Sequence, residues 1–181
     1  MDRRQRKTRN LIFEAFIELL SEKSYNSMTV SDIIERADIG RATFYAHFET
    51  KDFLLKELCE ELFGHIFESG SGIASGRYIF QCDAPNSVFL HLFQHLQKND
   101  NNIMLLTSQN NELFLHYFKA NLNELIKRQL SLFEPRRAKE IPEDLWIAHI
   151  ASTFVETVRW WMDRRMKESP ETITKYFFEL V

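Results

Sequence analysis

Residues 28–53 read MTVSDIIERADIGRATFYAHFETKDF. Thr29 is placed to cap a helix, and Asp32, three residues on, is the acid of a capping box. Val30, Ile33, Ile34 and Ala37 give that short helix an apolar side. Asp38-Ile39-Gly40 then breaks it. A second short helix is expected over Arg41–His47, with Phe44 and Phe48 at i and i+4 facing inward. Two short helices joined by a tight Gly-containing turn make a helix-turn-helix. The second helix of such a motif fits the major groove of DNA, and its first residues meet base edges.

The rest of the chain is helical in pattern too. Before the motif, Ile12, Ala15, Phe16, Leu19 and Leu20 form one stripe from Lys7 to Glu22. After it, Leu54, Leu55, Leu58, Leu62, Ile66 and Phe67 form another. Further helices are expected over Val88–Leu96, from Leu113 to about Phe133, over Leu145–Met162 and over Pro170–Leu180. Ser169-Pro170-Glu171 is a clear start signal: a cap, a proline at the first turn, and an acid at the positive end of the dipole. No segment alternates like a strand. The fold class is all-α: a three-helix helix-turn-helix domain over 1–50, then a helical bundle over 51–181.

Composition agrees. With 5 Gly and 4 Pro in 181 residues, the chain lacks the punctuation that turn-rich sandwiches and barrels need. Four of the glycines fall at 64, 70, 72 and 76, so Glu68–Asp83 is expected to be a loop. The chain is 44% hydrophobic and includes 16 Phe, enough for a substantial core. The net charge of −3 conceals an asymmetry. Residues 2–9 carry Arg3, Arg4, Arg6, Lys7 and Arg9 against Asp2, while the remainder is acidic. The longest stretch free of charged residues, Ala84–Gln97, is 14 residues, too short to span a bilayer. Cys59 and Cys82 match no metal spacing and suit a reducing cytoplasm.

The motif resembles the DNA-binding domain of TetR-type transcriptional regulators. The residues that carry the resemblance are Thr29-Val30, Ile33, Ile34, Ala37, Thr43-Phe44-Tyr45-Ala46-His47-Phe48 and Lys51. It departs from the family pattern at the turn, with Asp38 where Gly is usual and Gly40 where Ser or Thr is usual. The resemblance implies a double-stranded DNA operator, a homodimer and an unidentified small-molecule effector as partners, with no cofactor and no membrane. It also implies a cytoplasmic repressor released from a palindromic operator by a small apolar or aromatic ligand. The C-terminal part loosely resembles regulators of the dihydroxyacetone-kinase branch. That leaves open the alternative of a co-regulator answering to a protein partner.

DNA-binding candidates follow residue by residue. Arg41 opens the second motif helix with a forked donor able to reach a guanine edge or a phosphate. Ala42 and Thr43 offer methyl groups to thymine. The resemblance implies that Tyr45 and Lys51 hold phosphates. Thr29 is a further phosphate candidate, and His47 either touches the DNA backbone or packs. Arg3, Arg4 and Arg6 belong to a basic arm able to follow phosphates or enter the minor groove.

In the second part, pocket candidates are Phe63, Phe67, Phe89, Phe93, Phe114, Tyr117, Phe118 and Trp146, although aromatic stripes at helical spacing are more often core than ligand box. The Leu145–Met162 helix carries two apolar stripes. One of them, Ile147, Ala151, Val155 and Met162, is expected at a dimer interface together with Phe177 and Phe178. His91 and His95 stand at i, i+4, a spacing that can chelate a metal. No carboxylate stands at a matching spacing, so no metal is expected. Enzyme signatures are missing: there is no G-x-S-x-G, no P-loop and no G-x-G-x-x-G, and Gly70-Ser71-Gly72 continues wrongly.

Overall fold

A computed structural model describes residues 3–70, 87–98, 105–106, 111–138 and 140–181, with backbone only for 68–70. Every regular element among them is helical. The helices are α1 (Arg3–Glu22), α2 (Val30–Arg36), α3 (Arg41–His47) and α4 (Lys51–Gly70). Then come α5 (Val88–Lys98), α6 (Glu112–Arg128), α7 (Glu143–Asp163) and α8 (Pro170–Leu180). Short 3-10 turns stand at Tyr25–Ser27, Leu130–Leu132 and Glu134–Arg136.

The N-terminal helices enclose one apolar centre. Ile12, Phe13, Phe16, Leu19 and Leu20 of α1 face Ile33 of α2 and Phe44 of α3, all buried. Phe13 meets Phe48 edge to face, with ring centres 5.3 Å apart. That geometry suits the aromatic quadrupoles and locks the end of α3 against α1.

In the second part, Phe63 of α4 packs on Phe118 of α6. Phe93 of α5 stacks on Phe154 of α7 at 4.6 Å, and Phe154 packs edge-on against Phe177 of α8. Each helix therefore contributes a ring to a shared aromatic interior, which is where much of the Phe content goes.

Several boundaries differ from the expectation. Helix α1 starts at Arg3, so the basic residues expected as an arm lie in its first turns. Helix α4 continues through Gly64 to Gly70, past the expected loop start at Glu68. Residues 71–83 of that expected loop lie outside the described residues, as does Cys82. The expected helix end near Phe133 is replaced by an α6 terminus at Arg128 followed by 3-10 turns.

The expected dimer stripe needs correction. Ile147, Ala151, Val155 and Phe177 are buried inside this single chain, at 4%, 2%, 3% and 0% exposure. A residue already sealed between α7 and its own neighbours has no surface left for a second copy. Met162 and Phe178 are only partly covered. The large apolar residues that α7 and α8 do present are Leu145 at the start of α7 and, further along, Trp160, Tyr176 and Leu180.

Candidate nucleic-acid interface

The capping box forms as expected. Thr29 Oγ1 accepts the Asp32 backbone N–H at 3.2 Å, and Asp32 Oδ2 accepts the Thr29 N–H at 2.7 Å. The Thr29 hydroxyl also donates to Asp32 Oδ2 at 2.9 Å, so both of its hydrogen-bonding roles are engaged locally. The Thr29 backbone bond leads the effects, with Lys23 assisting, that hold the Asp32 carboxyl down at about 2.

The turn after α2 is a Schellman motif. Asp38 N–H donates to Glu35 O and Ile39 N–H donates to Ile34 O, both at 3.2 Å. Asp38 takes φ 50°, the left-handed position usually given to Gly. Ile34 and Ile39 both pack on the core, the apolar contact that accompanies this motif. Gly40 then caps α3 without a side-chain bond. A Cβ there would meet only Thr43 Oγ1, at 3.7 Å, so the position admits a side chain.

Helix α3 is two-faced. Phe44 and Phe48 are fully buried, whereas Arg41, Ala42 and Tyr45 are exposed and Thr43 and His47 are half-buried. Arg41 Nη2 donates to Ser31 Oγ of α2 at 3.2 Å, which leaves the other donors of its fork available. Burial, then the Arg9 charge, lowers the His47 pKa, so His47 is poorly suited to act as a cation.

Two cations are used differently from the expectation. Lys51 Nζ donates to the carbonyls of Tyr25 and Met28, both at 2.7 Å, and sits 4.1 Å from the Tyr25 ring centre. Burial lowers its pKa against the pull of Asp52 and Asp32. Lys51 thus braces the loop before α2 against the start of α4. Tyr25 reinforces the same joint by donating its phenol to Asp52.

Arg9 clamps α1 to α4. Its guanidinium bonds Glu57 at 2.6 Å and Glu61 at 3.1 Å and lies over the rings of Phe13 and Phe48. Nothing in the local sequence marks this role, because the partners lie about fifty residues away. Arg3, Arg4, Arg6 and Lys7 remain exposed on the turns before it. They stand at a helix start that holds no acid, where the dipole disfavours positive charge and an external anion relieves it.

The pocket candidates split by burial. Phe63, Phe89, Phe93, Phe114 and Phe118 are sealed in the aromatic interior, Trp146 is buried, and Phe67 and Tyr117 are partly covered. Elsewhere, a cleft of about 560 Å³ lies where the Tyr25 turn and the start of α4 meet the start of α6. Ser24, Lys51, Asp52, Asn111 and Glu112 line it.

A capped helix, a Schellman turn and a short helix with one locked and one open face define a DNA-binding helix-turn-helix protein. Comparison with known proteins places it more closely. Residues 12–58 match the bacterial regulatory proteins of the tetR family, and residues 83–181 match a transcriptional regulator C-terminal region. The chain belongs to the TetR family of transcriptional regulators.

A crystal structure of a TetR regulator from Streptococcus agalactiae 2603V is 35% identical, with TM-score 0.74, over 99% of this chain and 96% of that one. An uncharacterized HTH-type regulator of Bacillus subtilis, YxbF, is 39% identical over 71 residues, 36% of this chain and 19% of that one. The dhaKLM operon transcriptional activator DhaS of Lactococcus lactis is 34% identical over 64 residues, 35% of this chain and 34% of that one. Against YxbF and DhaS, then, the matched stretch is about a third or less of the relative's length. Among the described residues, no helix is long and apolar enough to cross a membrane.

Proposed function

We propose that the protein is a repressor that binds a palindromic operator as a homodimer and is released by a small effector. One observation carries the DNA part: Arg41, Ala42 and Tyr45 share an open face of α3, while Phe44 and Phe48 fix the opposite face in the core. On this reading Arg41, Ala42 and Thr43 meet base edges. Tyr45 and the basic turn Arg3, Arg4 and Arg6 hold phosphates. Thr29 and Lys51 act by positioning the motif, since their polar atoms are engaged within it.

The dimer is proposed through α7 and α8, where Trp160, Tyr176 and Leu180 flank a groove with Ser152 and Glu156. A two-fold axis there would present two copies of α3 to successive major grooves, about 34–36 Å apart. The effector is proposed to be apolar or aromatic, because it would have to enter an interior built largely of Phe side chains that the effector-free chain keeps closed. Helix α4 is the lever: it follows closely on α3 and carries Phe63 into the second domain. Driving the population from 1:99 to 99:1 takes about 5.5 kcal/mol of differential affinity.

Footprinting on candidate intergenic palindromes tests this reading. Protection should cover two half-sites, and Arg41→Ala should relax preference at one base position per half-site by about 1–3 kcal/mol. Uniform loss over all sequences would make Arg41 a positioning residue instead. Operator affinity that no effector alters, at fixed salt, would remove the ligand-release half of the proposal.

A further inference from the structure

The fold gathers three histidines that the chain keeps far apart. His65 lies on α4, and His91 and His95 lie one turn apart on α5. Their rings form a triangle, with centres 5.0, 4.8 and 4.8 Å from one another. The Nε2 atoms of His91 and His95 are 3.1 Å apart. One ligating nitrogen from each of the three residues can be chosen so that all lie within 4.8 Å of one another.

We propose that His65, His91 and His95 form a binding site for a divalent transition metal of the zinc class, joining α4 to α5. A tetrahedral zinc with Zn–N of about 2.0–2.1 Å places its nitrogens about 3.3 Å apart and the ring centres of its imidazoles about 5.2 Å apart. The His91–His95 nitrogen pair and all three ring separations already stand close to those values. The remaining nitrogen distances, at most 4.8 Å, would have to shorten toward about 3.3 Å when an ion binds.

The ligand chemistry fits as well. Three imidazoles suit Zn, Cu or Ni rather than Mg or Ca, which take oxygen donors. His65 is only partly buried, which provides an approach for an ion and for a water as fourth ligand.

The site goes beyond the proposed operator binding and does not depend on it. When filled, it would fasten α5 to the helix that follows the DNA-binding motif. The sequence spacing showed two of the ligands; the third comes from a helix more than twenty residues earlier.

The test uses the full chain, free of any purification tag and stripped with EDTA, without DNA. Titration with Co²⁺ should give visible d–d absorption of a tetrahedral site saturating at one ion per chain. Zn²⁺ should displace the Co²⁺ and raise the thermal transition. His65→Ala, at a partly exposed position, should weaken Zn²⁺ binding at least about tenfold, the scale of losses seen when even outer-shell partners of metal ligands are removed. His95→Phe, which keeps the packing volume, should do the same. If the wild-type chain shows no saturable Co²⁺ spectrum, the triangle is a packed histidine cluster and the proposal fails. It fails equally if binding persists unchanged in both variants.

Discussion

Replacing Lys51 with Met separates two roles that the family pattern and the structure assign differently. The Lys51 ammonium donates to two carbonyls, Tyr25 O and Met28 O, each at 2.7 Å, and rests on the Tyr25 ring. Hydrogen bonds to a charged group contribute about 1.5–3 kcal/mol each. The joint is partly open to water, so the lower end applies, and Met keeps much of the stem packing. The cation–π interaction adds about 0.5–1 kcal/mol. Lys51→Met should therefore destabilise the fold by about 3.5–4 kcal/mol. At about 2–4 °C per kcal/mol for a chain of this size, the thermal transition should fall by about 7–16 °C. Circular dichroism at 222 nm reads this directly. The second assay is operator affinity against salt, well below the transition. If Lys51 instead held a DNA phosphate, its removal would reduce the magnitude of the log–log slope by about 0.9 for each phosphate released. The brace predicts a lowered transition with the slope unchanged. An unmoved transition with a reduced slope would refute it and return Lys51 to the phosphate-binding residues.

Three further outcomes are expected. Asp38→Gly removes the Cβ from a left-handed residue at φ 50° and should stabilise the chain by about 1 kcal/mol in denaturant unfolding; a loss would mean that the Asp38 side chain contributes more than its backbone strain. The Asp32 carboxyl is held near 2 in the fold against an ordinary value of 3.8, so its stabilisation is complete above about pH 4 and is lost as pH falls toward 2. Asp32→Asn should flatten that part of the profile of transition temperature against pH, and an unchanged profile would move the acid dependence elsewhere. Sedimentation should give twice 21.6 kDa for the wild type, and Trp160→Asp, at a 43%-exposed position, should weaken dimerisation by about thirtyfold or more; an unaffected dimer would place the interface off this groove.

How much is legible in the sequence depends on the range of the interaction. Thr29 and Asp32, Ser169 and Thr172, and Phe44 and Phe48 are partners within four residues, so their spacing encodes the caps and the inward face of α3. The unusual turn residue Asp38 can also be placed, because left-handed backbone has few tolerant side chains. At the N-terminus charge alone suggests an arm, whereas Arg3–Lys7 carry no helix breaker and continue α1. The glycine cluster sets the expected loop start at Glu68, whereas α4 runs on to Gly70, since a glycine weakens a helix without ending it.

The sequence by itself determined the all-helical class, the helix-turn-helix and the face of α3 that stays open, because each rests on periodicity or on partners a turn apart. Tertiary structure alone decided where the long-range charges and rings go. It set Arg9 between α1 and α4 and turned Lys51 onto the Tyr25 loop. It sealed Ile147, Ala151 and Val155 inside the chain, and it carried His65 to His91 and His95. An amphipathic stripe states only that a face is covered. Which neighbour covers it, the chain itself or a second copy, depends on how helices distant in sequence pack.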